Sequence, residues 1–211
     1  MVEKLLIPRE KYLAAGIHIG MKQRTKDMME FIYKVRTDGL SVLNLKKIDD
    51  RINIAAKFLA KNQKILIVGR KGASHKAVKK FAEVIGAESV IGRFLPGTLT
   101  NPNFRKFFEA DVVILSDPLI DYQALKEAVS ARIPVVAIAD TFNETRDIDF
   151  IIPANNKSNK SFAVLFWVLA REILKEKGQI KSDEEFQYKL EDFGYSEERS
   201  YDYEEEPEDM E

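Results

Sequence analysis

An α/β fold, with a parallel sheet covered by helices on both faces, is the class this sequence predicts. Three observations carry the prediction. Short apolar runs alternate with longer stretches of helical periodicity from about residue 40 to residue 177. The later runs, ILIVG (65–69), VVIL (112–115) and VVAIA (135–139), are apolar at consecutive positions, as strands buried on both faces are. Each run then stops at a turn residue: Gly69, Asp117-Pro118 after Ser116, or Asp140. A chain of 211 residues is long enough to close one such core.

The elements follow in order. Pro8 permits a helix start, since the N–H it lacks would be unpaired there, and a short helix should run from Arg9 to Ala15. GIHIG (16–20) ends it, and a polar run holding Lys22, Arg24 and Lys26 follows. His18, between two isoleucines, reads as a half-buried histidine bonded to a backbone carbonyl. Only two histidines occur in the chain, so a metal site is not expected. Runs 31–36 and 40–45 flank Thr37-Asp38-Gly39, a hairpin signal, and Arg36 and Lys34 make one face of the first arm basic. The second arm, SVLNL (41–45), is expected to be the first strand of the main sheet.

Ile48, Ile52, Ala55, Ala56 and Leu59 form one helical face over 46–60. After the strand 64–69, the loop VGRKGASHK supplies Arg70, Lys71, His75 and Lys76. Ser74 is the expected cap of a helix to Ile85. The stretch GRFLPGTLTN (92–101) is rich in turn residues and offers Arg93, Thr98, Thr100, Asn101 and backbone N–H groups, with Arg105 just beyond. It has no carboxylate or histidine. That chemistry suits holding an anion at the end of a parallel sheet. Asp121 should cap a helix carrying Tyr122, Leu125, Ala128 and Val129. The patch ANNKSNKS (154–161), with Asn156, Lys157 and Lys160, precedes a deeply packed helix to about Lys177. The simplest topology is flavodoxin-like, order 2-1-3-4-5, with right-handed crossovers and an added N-terminal helix and β-hairpin.

The formal net charge of −1 averages two opposites. Residues 1–182 carry 31 Lys+Arg against 20 Asp+Glu, whereas 183–211 carry 2 against 14. One α/β domain over 1–182 and an acidic, disordered tail over 183–211 are therefore expected. Tyr188, Phe193, Tyr195, Tyr201 and Tyr203 depart from the tail's polar pattern and could dock it on a partner. A basic body points to an anionic partner, nucleic acid first. The chain has no cysteine, which excludes disulfides and thiolate chemistry. No signal peptide and no bilayer-length apolar run is present, so a soluble intracellular protein is expected, without membrane contact.

A nucleotide- or Mg-dependent enzyme is the rival reading. Neither G-x-G-x-x-G, nor G-x-x-x-x-G-K-[ST], nor G-x-S-x-G occurs. Asp117 and Asp140, each after a buried strand, are the enzyme candidates. As strand stops they need no chemistry. No catalytic residue, metal, cofactor or small-molecule substrate is expected.

AAGIHIG, FIYKVRTDGLSVLNL, ILIVGRKGASHKAV, GRFLPGTLTNP and the ADT…NNKSNKS pair, in this order over residues 8–178, resemble the ribosomal protein S2 family of the small subunit, its archaeal form best. The resemblance implies an α/β fold without catalysis, assembly near the neck of the small subunit, and contact with ribosomal RNA and neighbouring ribosomal proteins. Bacterial members carry a helical insertion that this chain lacks. Leu99 stands where phenylalanine is common. The residues named above, from Lys22 to Lys160, are the candidate RNA contacts.

Overall fold

A computed structural model describes residues 5–196. Five parallel strands form the main sheet: β3 (Ile65–Gly69), β4 (Glu88–Ile91), β5 (Val112–Leu115), β6 (Val135–Ala139) and β7 (Phe150–Pro153), in the spatial order β4-β3-β5-β6-β7. Counted within the sheet from β3, that is 2-1-3-4-5. The helices are α1 (Arg9–Ala15), α2 (Leu45–Ala60), α3 (Gly72–Ile85), α4 (Tyr122–Ser130) and α5 (Asn159–Glu176). The fold is a doubly wound, flavodoxin-like α/β sandwich.

The hairpin forms from β1 (Ile32–Val35) and β2 (Ser41–Leu43), with Gly39 at φ 85° in the turn. It does not join the main sheet, which corrects the expectation for 41–45. Both edges of β2 are occupied: β1 takes one, and residues 18–21 take the other. Leu43 N–H donates to the His18 carbonyl (2.8 Å), Gly20 N–H to Ser41 (2.9 Å) and Ser41 N–H to Met21 (3.1 Å). An apolar run alone does not say which sheet it enters.

Alternate residues of each strand face opposite layers. Ile65, Ile67, Val112, Ile114, Val136 and Ile138 pack under α2, α3 and α5 in the larger core, where Phe162, Phe166 and Phe81 meet. Leu66, Val68, Val113, Leu115, Val135 and Ala137 face α4 and the irregular chain 92–110, through Phe94, Leu99 and Ala110. On α4, Ala124, Leu125 and Ala128 are buried. Tyr122 and Val129 are 61% and 44% exposed. Among the described residues, α4 is the one helix on this face.

The packed chain continues past Ser182, where the sequence placed the domain boundary. Phe186 and Phe193 are buried in the larger core, and short 3-10 turns form at Asp183–Glu185 and Leu190–Phe193. Acidic composition masked Phe186, whereas Phe193 is among the aromatics already set apart from the polar pattern. Residues 197–211, with Tyr201 and Tyr203, lie outside the described residues.

Arg171 fastens both ends. Its guanidinium is buried, donates to the Leu6 carbonyl (2.8 Å), and pairs with Glu172 (2.8 Å) and Asp183 (3.2 Å). Lys175 pairs with Glu172 (3.1 Å) and with Asp183. Asp49 of α2 accepts the Leu6 N–H (3.1 Å) and the Tyr12 hydroxyl (2.7 Å). Burial raises the Asp49 carboxyl above its usual range. It raises Tyr12 as well, with the charge of Asp49 adding to the effect.

Candidate nucleic-acid interface

The carboxyl ends of the strands form one edge, and the β3–α3 and β5–α4 turns meet there at the point where the winding reverses. The Asp121 carboxylate joins them. It accepts the Arg70 N–H (3.0 Å), the Ser116 hydroxyl (2.9 Å) and the Asp117 N–H (3.1 Å). Asp121 precedes α4, as expected, but its side chain does not cap that helix. Ser74 likewise is no cap. It lies inside α3, and its hydroxyl donates to the Lys71 carbonyl (2.8 Å).

Asp117 extends the brace. Its Oδ1 accepts from Asn143 Nδ2 (3.0 Å) and Leu119 N–H (3.1 Å), and its Oδ2 faces Lys71 Nζ (3.5 Å). Lys71 Nζ also donates to the Asn156 carbonyl (2.8 Å). Asn143 Oδ1 accepts from Asp140 N–H (2.8 Å) and from Asn156 Nδ2 (3.0 Å). Asp140 Oδ1 accepts the Thr141 N–H (2.6 Å). Asp117 and Asp140 are each 1% exposed, and they serve as an internal frame for the loops. The bonds of Asn143 and Thr141 were not legible in the sequence, because they join loop residues at the ends of different strands and the segment 20–25.

Burial pushes Asp121 and Asp140 up to about 6, and the charge of Asp117 adds to both. Asp140 Oδ2 and Asn156 Oδ1 are buried acceptors with no partner among the described residues. A proton on Asp140 relieves the cost of burying its charge. In the unfolded chain both carboxyls ionise near 3.9. Between about pH 4 and 6 the native state therefore holds more protons than the unfolded state, and stability falls as pH rises. The drop should be on the order of 3 kcal/mol per group by pH 7, at about 1.4 kcal/mol per unit. Urea unfolding from pH 4 to 7 checks this. Asp140→Asn should remove its own share of the drop, leaving those of Asp121 and Asp49, and a profile that rises over this window in the wild type excludes the assignment.

Above the frame lie the cations. Arg70, Lys71 and His75 leave the β3–α3 turn, with His75 Nε2 3.0 Å from the Arg70 carbonyl. Lys157 and Lys160 leave the β7–α5 connection, over the rings of Phe142 (4.7 Å) and Tyr195 (5.9 Å). Lys76 lies one turn along α3, against Gly194. Residues 20–25 are pinned to the end of β6: Thr141 Oγ1 accepts from Met21 N–H (2.9 Å), and the Thr141 carbonyl accepts from Thr25 N–H (2.9 Å). Gly20 permits this approach, since a Cβ there would lie 2.5 Å from Thr141 Cγ2. Lys22, Arg24 and Lys26 are thereby carried, exposed, to the same edge. Arg93 follows Gly92, whose N–H bonds the Gly69 carbonyl (3.0 Å), so it too stands at this edge.

The remaining candidates lie elsewhere. Asn156 is fully buried in the frame. Arg36 pairs with Asp38 (3.1 Å) and lines a separate groove with Arg9, Lys34 and Tyr33. His18 sits in the same groove, and its buried Nδ1 has no partner among the described residues. Burial lowers its pKa, and Arg36 and Arg9 add to the effect. The stretch 92–101 leaves the strand ends and covers the second face of the sheet, which corrects the expectation of an anion site there. Three of its donors are taken by Glu127 of α4. The Glu127 carboxylate accepts Gly97 N–H (2.8 Å), Leu99 N–H (3.1 Å), Thr100 Oγ1 (3.3 Å) and Gln123 Nε2 (2.9 Å). The anion held by this loop is the chain's own. Thr98 is buried, with its hydroxyl on the Leu95 carbonyl (2.7 Å). Asn101 accepts from Asn103 N–H (3.1 Å), and Arg105 is exposed four residues on.

Comparison with known proteins bears on this edge. The chain is 47% identical over 195 residues to the small ribosomal subunit protein uS2 of Picrophilus torridus, covering 92% of this chain and 98% of that one. The uS2 protein of Thermoplasma acidophilum gives the same figures. That of Staphylothermus marinus is 53% identical over 184 residues, 86% of this chain and 84% of its own. The family described as Ribosomal protein S2 matches residues 12–110 and 108–176, which together include the whole frame and most of the cations above it. The chain belongs to the ribosomal protein S2 family.

Proposed function

We propose that this chain is a structural constituent of the small ribosomal subunit, located in the cytoplasm, that binds ribosomal RNA through the basic edge and supports subunit assembly and translation. The observation that carries the reading is the convergence of Lys22, Arg24, Arg70, Lys76, Lys157 and Lys160 on one edge, above a frame that fixes the loops. Such cations neutralise phosphates and release counterions. Folded RNA is met largely through its shape, phosphates and 2′-hydroxyls. Asp117 and Asp140 act as braces in this reading, so the chain is not an enzyme. Exposed Leu119, Tyr122 and Val129 beside α4 form the surface suited to a neighbouring ribosomal protein.

The test is the salt dependence of association with small-subunit RNA. Replacing Lys76, Lys157 and Lys160 together with glutamine should flatten the log–log slope by about 2–3, at roughly 0.7–0.9 per phosphate contact. Arg105→Gln, on the other face, should leave it unchanged. An unaltered slope in the triple variant excludes this edge as the RNA contact.

A further inference from the structure

The chain leaves its described body on the basic edge, and the route it takes there is itself a series of lysine–aromatic contacts. After α5 the chain turns back along α5 and α3. Phe186 packs edge-on against Trp167 (5.5 Å) and Tyr188 (5.4 Å), and Trp167 Nε1 donates to the Tyr188 carbonyl (2.8 Å). Lys80 Nζ lies 5.0 Å from the centre of the Tyr188 ring. One helical turn nearer the start of α3, Lys76 meets Gly194, and Lys160 then lies over Tyr195. The last two cations met before Ser196 are therefore members of the basic edge.

Residues 197–211 follow. They carry nine carboxylates against one arginine, with Tyr201 and Tyr203 continuing the aromatic series. Fifteen residues extend to about 50 Å. The 18-residue α5 is only about 27 Å long. Nothing in the reach of the segment prevents it from returning to the edge where it starts.

We propose that residues 197–211 fold back onto Arg70, Lys71, Lys76, Lys157 and Lys160, occupying this face in the free protein and yielding it to RNA. The proposal rests on the RNA reading of that edge. Carboxylates stand where phosphates would, and tyrosines give the segment the ring–cation contacts already made by Tyr188 and Tyr195. The tether supplies an effective concentration in the millimolar range, enough to fill a weak site. Because the contact is electrostatic and solvent-exposed, salt weakens it.

The experiment compares the full chain, a chain ending at Ser196, and a full-length chain with the nine carboxylates of 197–211 changed to their amides. Without RNA, acetic anhydride labelling of Lys76, Lys157 and Lys160 is followed by mass spectrometry at low and high salt. The expected result is labelling several-fold slower in the full chain at low salt. That protection should be lost at high salt and in both variants. Association with small-subunit RNA at low salt should be several-fold tighter for both variants. Equal labelling of all three chains overturns the docking, whatever the RNA result. Protection that grows with protein concentration also overturns it, since the segment would then be on a second copy. Protection in the full chain, with no RNA binding by the chain ending at Ser196, supports the docking and overturns the RNA reading instead.

Discussion

Replacing Glu127 with alanine should destabilise the protein by about 3–5 kcal/mol, as expected when a buried polar network loses its central acceptor. The side chain is 6% exposed and serves four donors. Two of these are the backbone N–H groups of Gly97 and Leu99, which the folded loop turns away from water. Gly97, at φ 92°, occupies a region that favours glycine, so the loop cannot readily turn those groups elsewhere. Once Glu127 is lost, Phe94 and Leu99 lose the polar anchor that ties their loop to α4. Glu127→Gln keeps one acceptor oxygen and should cost less, about 1–3 kcal/mol. Urea unfolding measures both. A Glu127→Ala variant within about 0.5 kcal/mol of the wild type, the range of ordinary surface substitutions, would show that the loop is held by apolar packing alone.

Arg171→Ala should cost a similar amount, about 3–5 kcal/mol, for a different reason. It strands the Leu6 carbonyl and leaves Glu172, itself 7% exposed, with Lys175 as its remaining cation. The effect should also be distributed in a telling way. Limited proteolysis should open two regions together, residues 5–8 and the strap 179–196, since one guanidinium holds both. Cleavage confined to one of them would refute the shared fastening. Arg171→Lys should rescue little, because an ammonium cannot supply the fork that meets Leu6, Glu172 and Asp183 at once.

These two residues mark the limit of what was legible in the sequence. The central strands β3, β5 and β6 and the helices could be read, because consecutive apolar positions and 3.6-residue spacing are direct consequences of burial, whereas the edge strand β4, ESVI, is only partly buried. Glu127 could not, since a glutamate on a helix reads as solvated until its loop is folded over it. The 92–101 stretch reads as turn-rich, but the sequence does not show that three of its donors meet Glu127 of the same chain. The error at 41–45 arose because pairing is a property of neighbours, and residues 18–21 gave no strand signal. At the basic edge, the lysines and arginines could be named from the sequence. Their assembly depended on Asp121 and Asn143, whose bonds cross between strands adjacent in space and distant in the chain.

The bond between Arg171 and Leu6 spans 165 residues. A ribosome adding roughly 5–20 residues per second needs on the order of 8–30 s to make that interval. Throughout that time Leu6 and Ile7 are outside the tunnel while α5, the helix that will seat them, has yet to emerge. The Leu6 carbonyl is thus satisfied late, once α5 and the strap have both emerged.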